Sequence, residues 1–210
     1  MERTVAKCLL EIQSVFYAFE KPFIGGRGTQ LPIYCDNRLI LSYPRVRKAL
    51  TKWLVNHVKE TYPDVEMIMG TAPAGIAFAS LLAEHLGIPM GYVLGQKKDH
   101  AFKNRVEGLL KEGVKVLVVD DVIFSGRTLI DVVQCLRDEK CEVLGAVAIV
   151  SYELPETIKN LAEHNISYSK LTTYDVINFV AMQSGRISYQ EFQKALKFKE
   201  NPDSNEWVDA

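Results

Sequence analysis

Apolar residues in this chain fall into two alternating kinds of run. Short, nearly unbroken stretches, "VEMIMG", "IPMGYVLG", "VKVLVVD" and "CEVLGAVAIVSY", read as buried strands. Between and after them, "AGIAFASLLAEHLG", "GRTLIDVVQCLRDEK" and "PETIKNLAEHN" carry helical spacing; Gly87 marks one stop and Pro155 one start. Upstream, Val5, Leu9, Ile12, Val15 and Phe16 predict an amphipathic helix from residue 2 to about 19. Ser42 and Pro44 predict a second helix start, running to about Glu60. The tail from about Tyr174 to Lys199 reads as helical. "FIGGRGTQLPIYCDNR", Phe23 to Arg38, reads as a loop and a short strand, and "QKKDHAFKNRVEG" as an exposed polar loop.

Strands separated by helices imply right-handed crossovers and a mostly parallel sheet covered on both faces, an α/β fold. No repeat or break in composition divides the chain, so residues 1–210 are expected to form one domain. Its first 38 residues would make a small hood over one edge of the sheet.

Composition narrows the class of partner. With 25 Lys and Arg against 26 Asp and Glu, the formal net charge is -1, so no overall basic field draws the chain to nucleic acid or an anionic membrane. No apolar run approaches the roughly 18 residues that would span a bilayer. Cys8, Cys35, Cys135 and Cys141 lack metal-ligand spacing, and nothing before the first helix resembles a signal peptide. A cytoplasmic protein with reduced thiols is expected.

Candidate chemistry sits in "VLVVDDVIFSGRT", Val116 to Thr128. In open parallel sheets, ligands bind beyond the carboxyl ends of the strands. Asp120 and Asp121 fall there, at the end of a buried strand. The segment from Ile123 to Thr128 leads into a helix whose first-turn N–H groups suit a phosphate. Ser125 and Thr128 add hydroxyls, and Gly126 lets the backbone approach closely. Acceptors at one end and donors at the other match a sugar phosphate. A Walker-A loop is excluded because no G-K-[ST] follows the glycine. An acidic pair in a receiver domain would belong to the first strand, not past mid-chain. The plainer alternative is that Asp121 only caps a helix and Asp120 faces solvent.

This stretch resembles the signature of type I phosphoribosyltransferases. "LPIYCDNRLILSYPRVR", "GTAPAGIAFA", "KDHAFKNRVEG", "CEVLGAVAIVSYE" and "NPDSNEW" extend the resemblance, end to end, to orotate phosphoribosyltransferases. The resemblance implies a type I phosphoribosyltransferase fold. It also implies magnesium-dependent transfer of ribose 5-phosphate from phosphoribosyl pyrophosphate (PRPP) to orotate, giving orotidine 5'-phosphate and pyrophosphate in pyrimidine synthesis. Asp120 and Asp121 would then hold the ribose hydroxyls and oppose positive charge on the ring. Val122, Ile123, Phe124, Ser125, Gly126, Arg127 and Thr128 would bind the PRPP phosphate end. Thr71, Ala72 and Pro73, within Gly70 to Gly75, would form the pyrophosphate turn. Magnesium (Mg2+) would ride on PRPP with no direct protein ligand. Lys98 and His100 would meet the leaving pyrophosphate from the loop Leu94 to Arg105, acting in trans across a homodimer. Phe124, Arg27, Gly28 and Tyr34 would face orotate.

The chain also departs from the family. Leu94 replaces a loop arginine four residues before Lys98, and Gly95 replaces a frequent lysine. Arg27-Gly28 stands for a Ser-Gly pair, Leu31 for a serine, and Phe124 for a small hydroxyl residue. Losing one charge-assisted contact in a closed site costs about 2–4 kcal/mol of transition-state stabilisation, unless Lys97, Lys103 or Arg27 compensates. Two alternatives therefore stay open: transfer to a different base, and a non-catalytic sensor that binds PRPP or a nucleotide.

Overall fold

The computed structural model describes residues 1–210 apart from 26–27, 96–104, 205 and 209–210. Its first helix, α1 (Glu2–Glu11), ends eight residues before the periodicity suggested. Gln13 adopts φ 55°, and the chain turns into β1 (Val15–Tyr17). Val15, Phe16 and Tyr17 satisfy period two as well as period 3.6, and pairing with β4 (Ile33–Cys35) decides between them. Between lie β2 (Phe23–Ile24) and β3 (Gln30–Leu31), an antiparallel pair where a loop was expected. A 3-10 helix (Asn37–Ser42), capped by the Asp36 side chain, leads into α2 (Pro44–Thr61). Pro44 occupies the first turn, where its missing N–H leaves nothing unpaired.

Beyond it the chain alternates: β5 (Met67–Thr71), α3 (Ala74–Leu86), β6 (Met90–Val93), β7 (Val106–Glu107), β8 (Lys115–Ile123), α4 (Arg127–Asp138), β9 (Glu142–Ser151), α5 (Pro155–Glu163), β10 (Tyr168–Thr173), α6 (Tyr174–Gln183) and α7 (Tyr189–Glu200). Six strands form one sheet in the order β10-β9-β8-β5-β6-β7, parallel except for β7. The strand β10 is an element the sequence reading missed. The expected single tail helix is two, because Gly185 at φ 71° breaks it and a Ser188–Glu191 capping box restarts it.

The core lies on both faces of this sheet. Ile68, Leu117, Val119 and Ile149 pack with α1, α2, α3, α6 and α7. Met67, Met69, Val116 and Val118 pack with α4 and α5. The chain order reverses between β5 and β8: the chain leaves β5 for β6 on one side, then returns to β8 on the other. That switch point opens a crevice at the strand ends, the expected place for a ligand.

Candidate active site

Strand β8 does not stop at the acidic pair. It runs two residues past Asp121 to Ile123, and Asp120 pairs with Ala148 and Val122 with Val150 of β9. Both carboxylates therefore hang from a strand still paired with β9, just past the last pair with β5, and not from a loop. Asp120 is 9% exposed. Its Oδ1 accepts the Thr71 hydroxyl at 2.6 Å and the Asp121 N–H at 2.9 Å. Burial pushes Asp120 up to about 7, with the Thr71 hydroxyl pulling the other way and the Asp121 charge adding to the rise. Burial raises Asp121 too. Two carboxylates held this way need partners, and a sugar's hydroxyls supply donors to both.

After Ile123 the chain makes a small cradle. Gly126, at φ 73°, begins α4 without a side-chain cap, so the first-turn N–H groups remain available to an anion. A Cβ at Gly126 would also press Thr157 Cγ2 at 3.2 Å and Leu161 Cδ2 at 3.3 Å. A cavity of about 80 Å3 lies here, lined by Asp120, Val122 to Gly126, Thr128 and Leu129. The Ile123 side chain is buried in the α4-side core, so only its backbone can serve a ligand. Phe124 stands edge-on against Tyr152 at 4.9 Å, and its carbonyl accepts the Thr157 hydroxyl at 2.6 Å.

A second cavity of about 500 Å3 adjoins the first. Phe124, Ser125 and Thr128 line both, joined in the larger by Arg127, by Thr29 of the N-terminal region, and by Leu154, Glu156, Thr157, Pro202 and Asp203. Arg127 lines the larger space and not the smaller one. Tyr34 lines neither. It is exposed, tilts against Phe23 at 5.9 Å, and its hydroxyl accepts from Arg38 Nη2 at 3.3 Å. Gly28 takes φ 82°, a conformation that favours glycine. Arg27, Lys98 and His100 lie outside the described residues.

Thr71 ends β5, and Ala72 and Pro73 turn the chain into α3. Here Gly75 is required by space: a Cβ would sit 2.3 Å from the Val119 carbonyl oxygen. The turn is pressed directly on β8, which brings the two expected substrate-binding segments into contact.

Several supporting residues were invisible to sequence reasoning. Buried Asn37 donates from Nδ2 to the Asp121 carbonyl at 2.9 Å. Arg38, paired with Asp36 at 2.7 Å, contributes positive charge near Asp121. Arg105 holds the Leu94 carbonyl from Nη2 at 3.0 Å and forms an ion pair with Asp131 of α4. "CDNR" was in the quoted resemblance, but nothing local says where Asn37 points.

The fold and the strand-end site are those of a phosphoribosyltransferase, and the family model for the phosphoribosyl transferase domain matches residues 39–183. The orotate phosphoribosyltransferase of Bacillus subtilis (strain 168) is 41% identical over 207 residues, 99% of this chain and 96% of that one. The orotate phosphoribosyltransferase of Bacillus cytotoxicus is 41% identical over 210 residues, spanning both chains completely. The crystal structure of orotate phosphoribosyltransferase from Aeropyrum pernix shares the fold with a TM-score of 0.76 at 24% identity, over 88% of this chain and 99% of that one. The chain belongs to the orotate phosphoribosyltransferase family.

Proposed function

We propose that this protein transfers ribose 5-phosphate from PRPP to orotate. The observation that carries the reading is the pair Asp120 and Asp121 on a paired strand at the switch point, beside the uncapped start of α4. The cradle takes the 5'-phosphate on backbone N–H groups. Asp120 Oδ2 and the Asp121 carboxylate accept from the ribose hydroxyls. As the C1–O bond breaks, pyrophosphate leaves with its electron pair and C1 becomes cation-like. The two carboxylates oppose that charge in a poorly hydrated site, where fixed charges act strongly. The orotate ring nitrogen then bonds to C1 and releases its proton.

Magnesium would supply charge neutralisation on the pyrophosphate and ribose oxygens. It would be carried by PRPP without a direct protein ligand, while the oxygens of Asp120 and Asp121 stay with the ribose hydroxyls; among the described residues no three His, Cys, Asp or Glu converge. Phe124 lines the space next to the cradle, which supports its placement toward the base. Family resemblance supports Lys98 and His100 acting on the partner's site in a homodimer. Restored turnover on mixing Lys98→Ala protein with Asp120→Asn protein is the expected result; strictly additive loss would contradict it. A cytoplasmic setting rests on the family resemblance; no helix among the described residues is long and apolar enough to cross a membrane.

Purified protein incubated with PRPP, magnesium and single bases tests the substrate. Orotate absorbance should fall with orotate alone. Consumption of another base with none of orotate would overturn the assignment, and so would no consumption of any.

A further inference from the structure

Thr71 and Asp120 stand on neighbouring strands, 49 residues apart in sequence, on either side of the switch point. The Thr71 hydroxyl donates to Asp120 Oδ1 at 2.6 Å, and the Asp121 N–H reaches the same oxygen at 2.9 Å. Two donors converging on one oxygen fix the plane of the carboxyl group. They leave Oδ2 as the oxygen offered to a ligand. Thr71 is 2% exposed, so this bond forms out of water, where it is stronger electrostatically than at the surface.

The hydroxyl has one proton and two acceptors within reach. The alternative, the Val119 carbonyl, lies at 3.4 Å, so Asp120 is the favoured partner. Gly75 closes the arrangement from the other side. A Cβ there would lie 2.5 Å from Thr71 Oγ1. Only a bare backbone lets the first turn of α3 approach the hydroxyl this closely.

We propose that Thr71 is a positioning residue whose hydroxyl ties the turn after β5 to the ribose-facing carboxylate, so that the two grips on PRPP are set as one unit. This rests on the transferase reading above. Thr71 starts the Ala72-Pro73 turn with its backbone and orients Asp120 with its side chain. An anion that settles the turn therefore also settles the carboxylate. The hydroxyl is not a ligand contact, because it is already committed to the protein.

The charged surroundings of Asp120 define a pH readout. Asp121 on the same strand opposes its ionisation, and Arg38 from the 3-10 helix lies toward Asp121. Thr71 on β5 and Ala148 on β9 are uncharged. The Thr71 hydroxyl favours the ionised carboxylate, so its removal moves Asp120 ionisation to higher pH.

Calorimetric titration of PRPP with magnesium into wild type, Thr71→Val and Thr71→Ser, from pH 6 to 9, needs no base and so isolates this claim. Thr71→Val should weaken PRPP binding about tenfold near pH 7, the size of a hydrogen bond to a charged group. The pH at which affinity rises should move upward. Thr71→Ser, which keeps the hydroxyl, should restore both. Thr71→Ala gives the same reading if Thr71→Val does not fold. Wild-type affinity and pH dependence in the hydroxyl-free variants would overturn the proposal, as would a serine variant as weak as the valine one. A wild-type protein that binds no PRPP sinks the transferase reading and this proposal together. One that binds PRPP while the hydroxyl-free variants match it sinks only this proposal.

Discussion

Asn37 Nδ2 donates to the Asp121 carbonyl across 2.9 Å, joining the 3-10 helix to the strand that bears the acidic pair. Asn37 is fully buried, and the two residues are 84 positions apart. The N-terminal region is thus clamped to the backbone of the site itself, and a loss of this clamp should be felt in both stability and binding. Asn37→Leu leaves a partly buried carbonyl without its donor, which costs about 1–3 kcal/mol. Urea unfolding should show that loss as a lower midpoint at unchanged slope, with a raised KM for PRPP.

Asp120 carries a stability cost. Its folded-state value, about 7, lies above the usual carboxylate range because it is buried. Folding therefore favours the protonated form, and stability falls as pH rises from about 4 to about 7, with the penalty complete above that. Asp120→Asn removes the ionisation while keeping an oxygen for Thr71 and the Asp121 N–H. Its Tm should exceed wild type at pH 8 and approach it at pH 4, while transfer is lost. In wild type, kcat/KM for PRPP should climb as pH rises through about 7.

Gly75 permits a backbone approach that no side chain allows. Gly75→Ala places a methyl 2.3 Å from the Val119 carbonyl oxygen and 2.5 Å from Thr71 Oγ1. Relief requires α3 to move off β8, at an overpacking cost of about 1–3 kcal/mol. Thermal unfolding should register the loss, and PRPP affinity should fall further than the Tm shift alone accounts for.

Arg105 is the anchor at one end of the segment that holds Lys98 and His100. It grips the Leu94 carbonyl and the Asp131 carboxylate, while the Leu94 N–H donates to the Arg105 carbonyl at 2.8 Å. Arg105→Met keeps the stem's apolar length and removes the fork. Turnover should fall by about tenfold, with orotate KM and Tm nearly unchanged. Unaltered kcat would remove Arg105 from the account.

Much of the fold was legible because buried parallel strands leave unbroken apolar runs. Met67 to Thr71, Val116 to Val119 and Gly145 to Ser151 are buried on both faces. The edge strand β10 escaped for the same reason. Tyr168, Ser169 and Lys170 are only partly buried, and Lys170 is held by Glu153 at 2.5 Å, so no apolar run marks it. The site's chemistry was legible through Asp120, Asp121 and Gly126, which lie within seven residues of one another. Its supports were not, because Asn37 and Arg105 act across the tertiary fold, as does the Thr71 hydroxyl, which the sequence placed only in the pyrophosphate turn. Their side chains are ordinary in their own segments, and only the sheet order brings them to β8.

The acidic pair is the centre of this account, and its most direct test is the rate of orotidine 5'-phosphate formation by wild type and by the Asp120→Asn, Asp121→Asn double variant at saturating PRPP, orotate and magnesium. Wild type should turn over, and the folded double variant should lose at least about a hundredfold in kcat, the scale of removing fixed charge from a developing cation. Equal rates for the two proteins would contradict it.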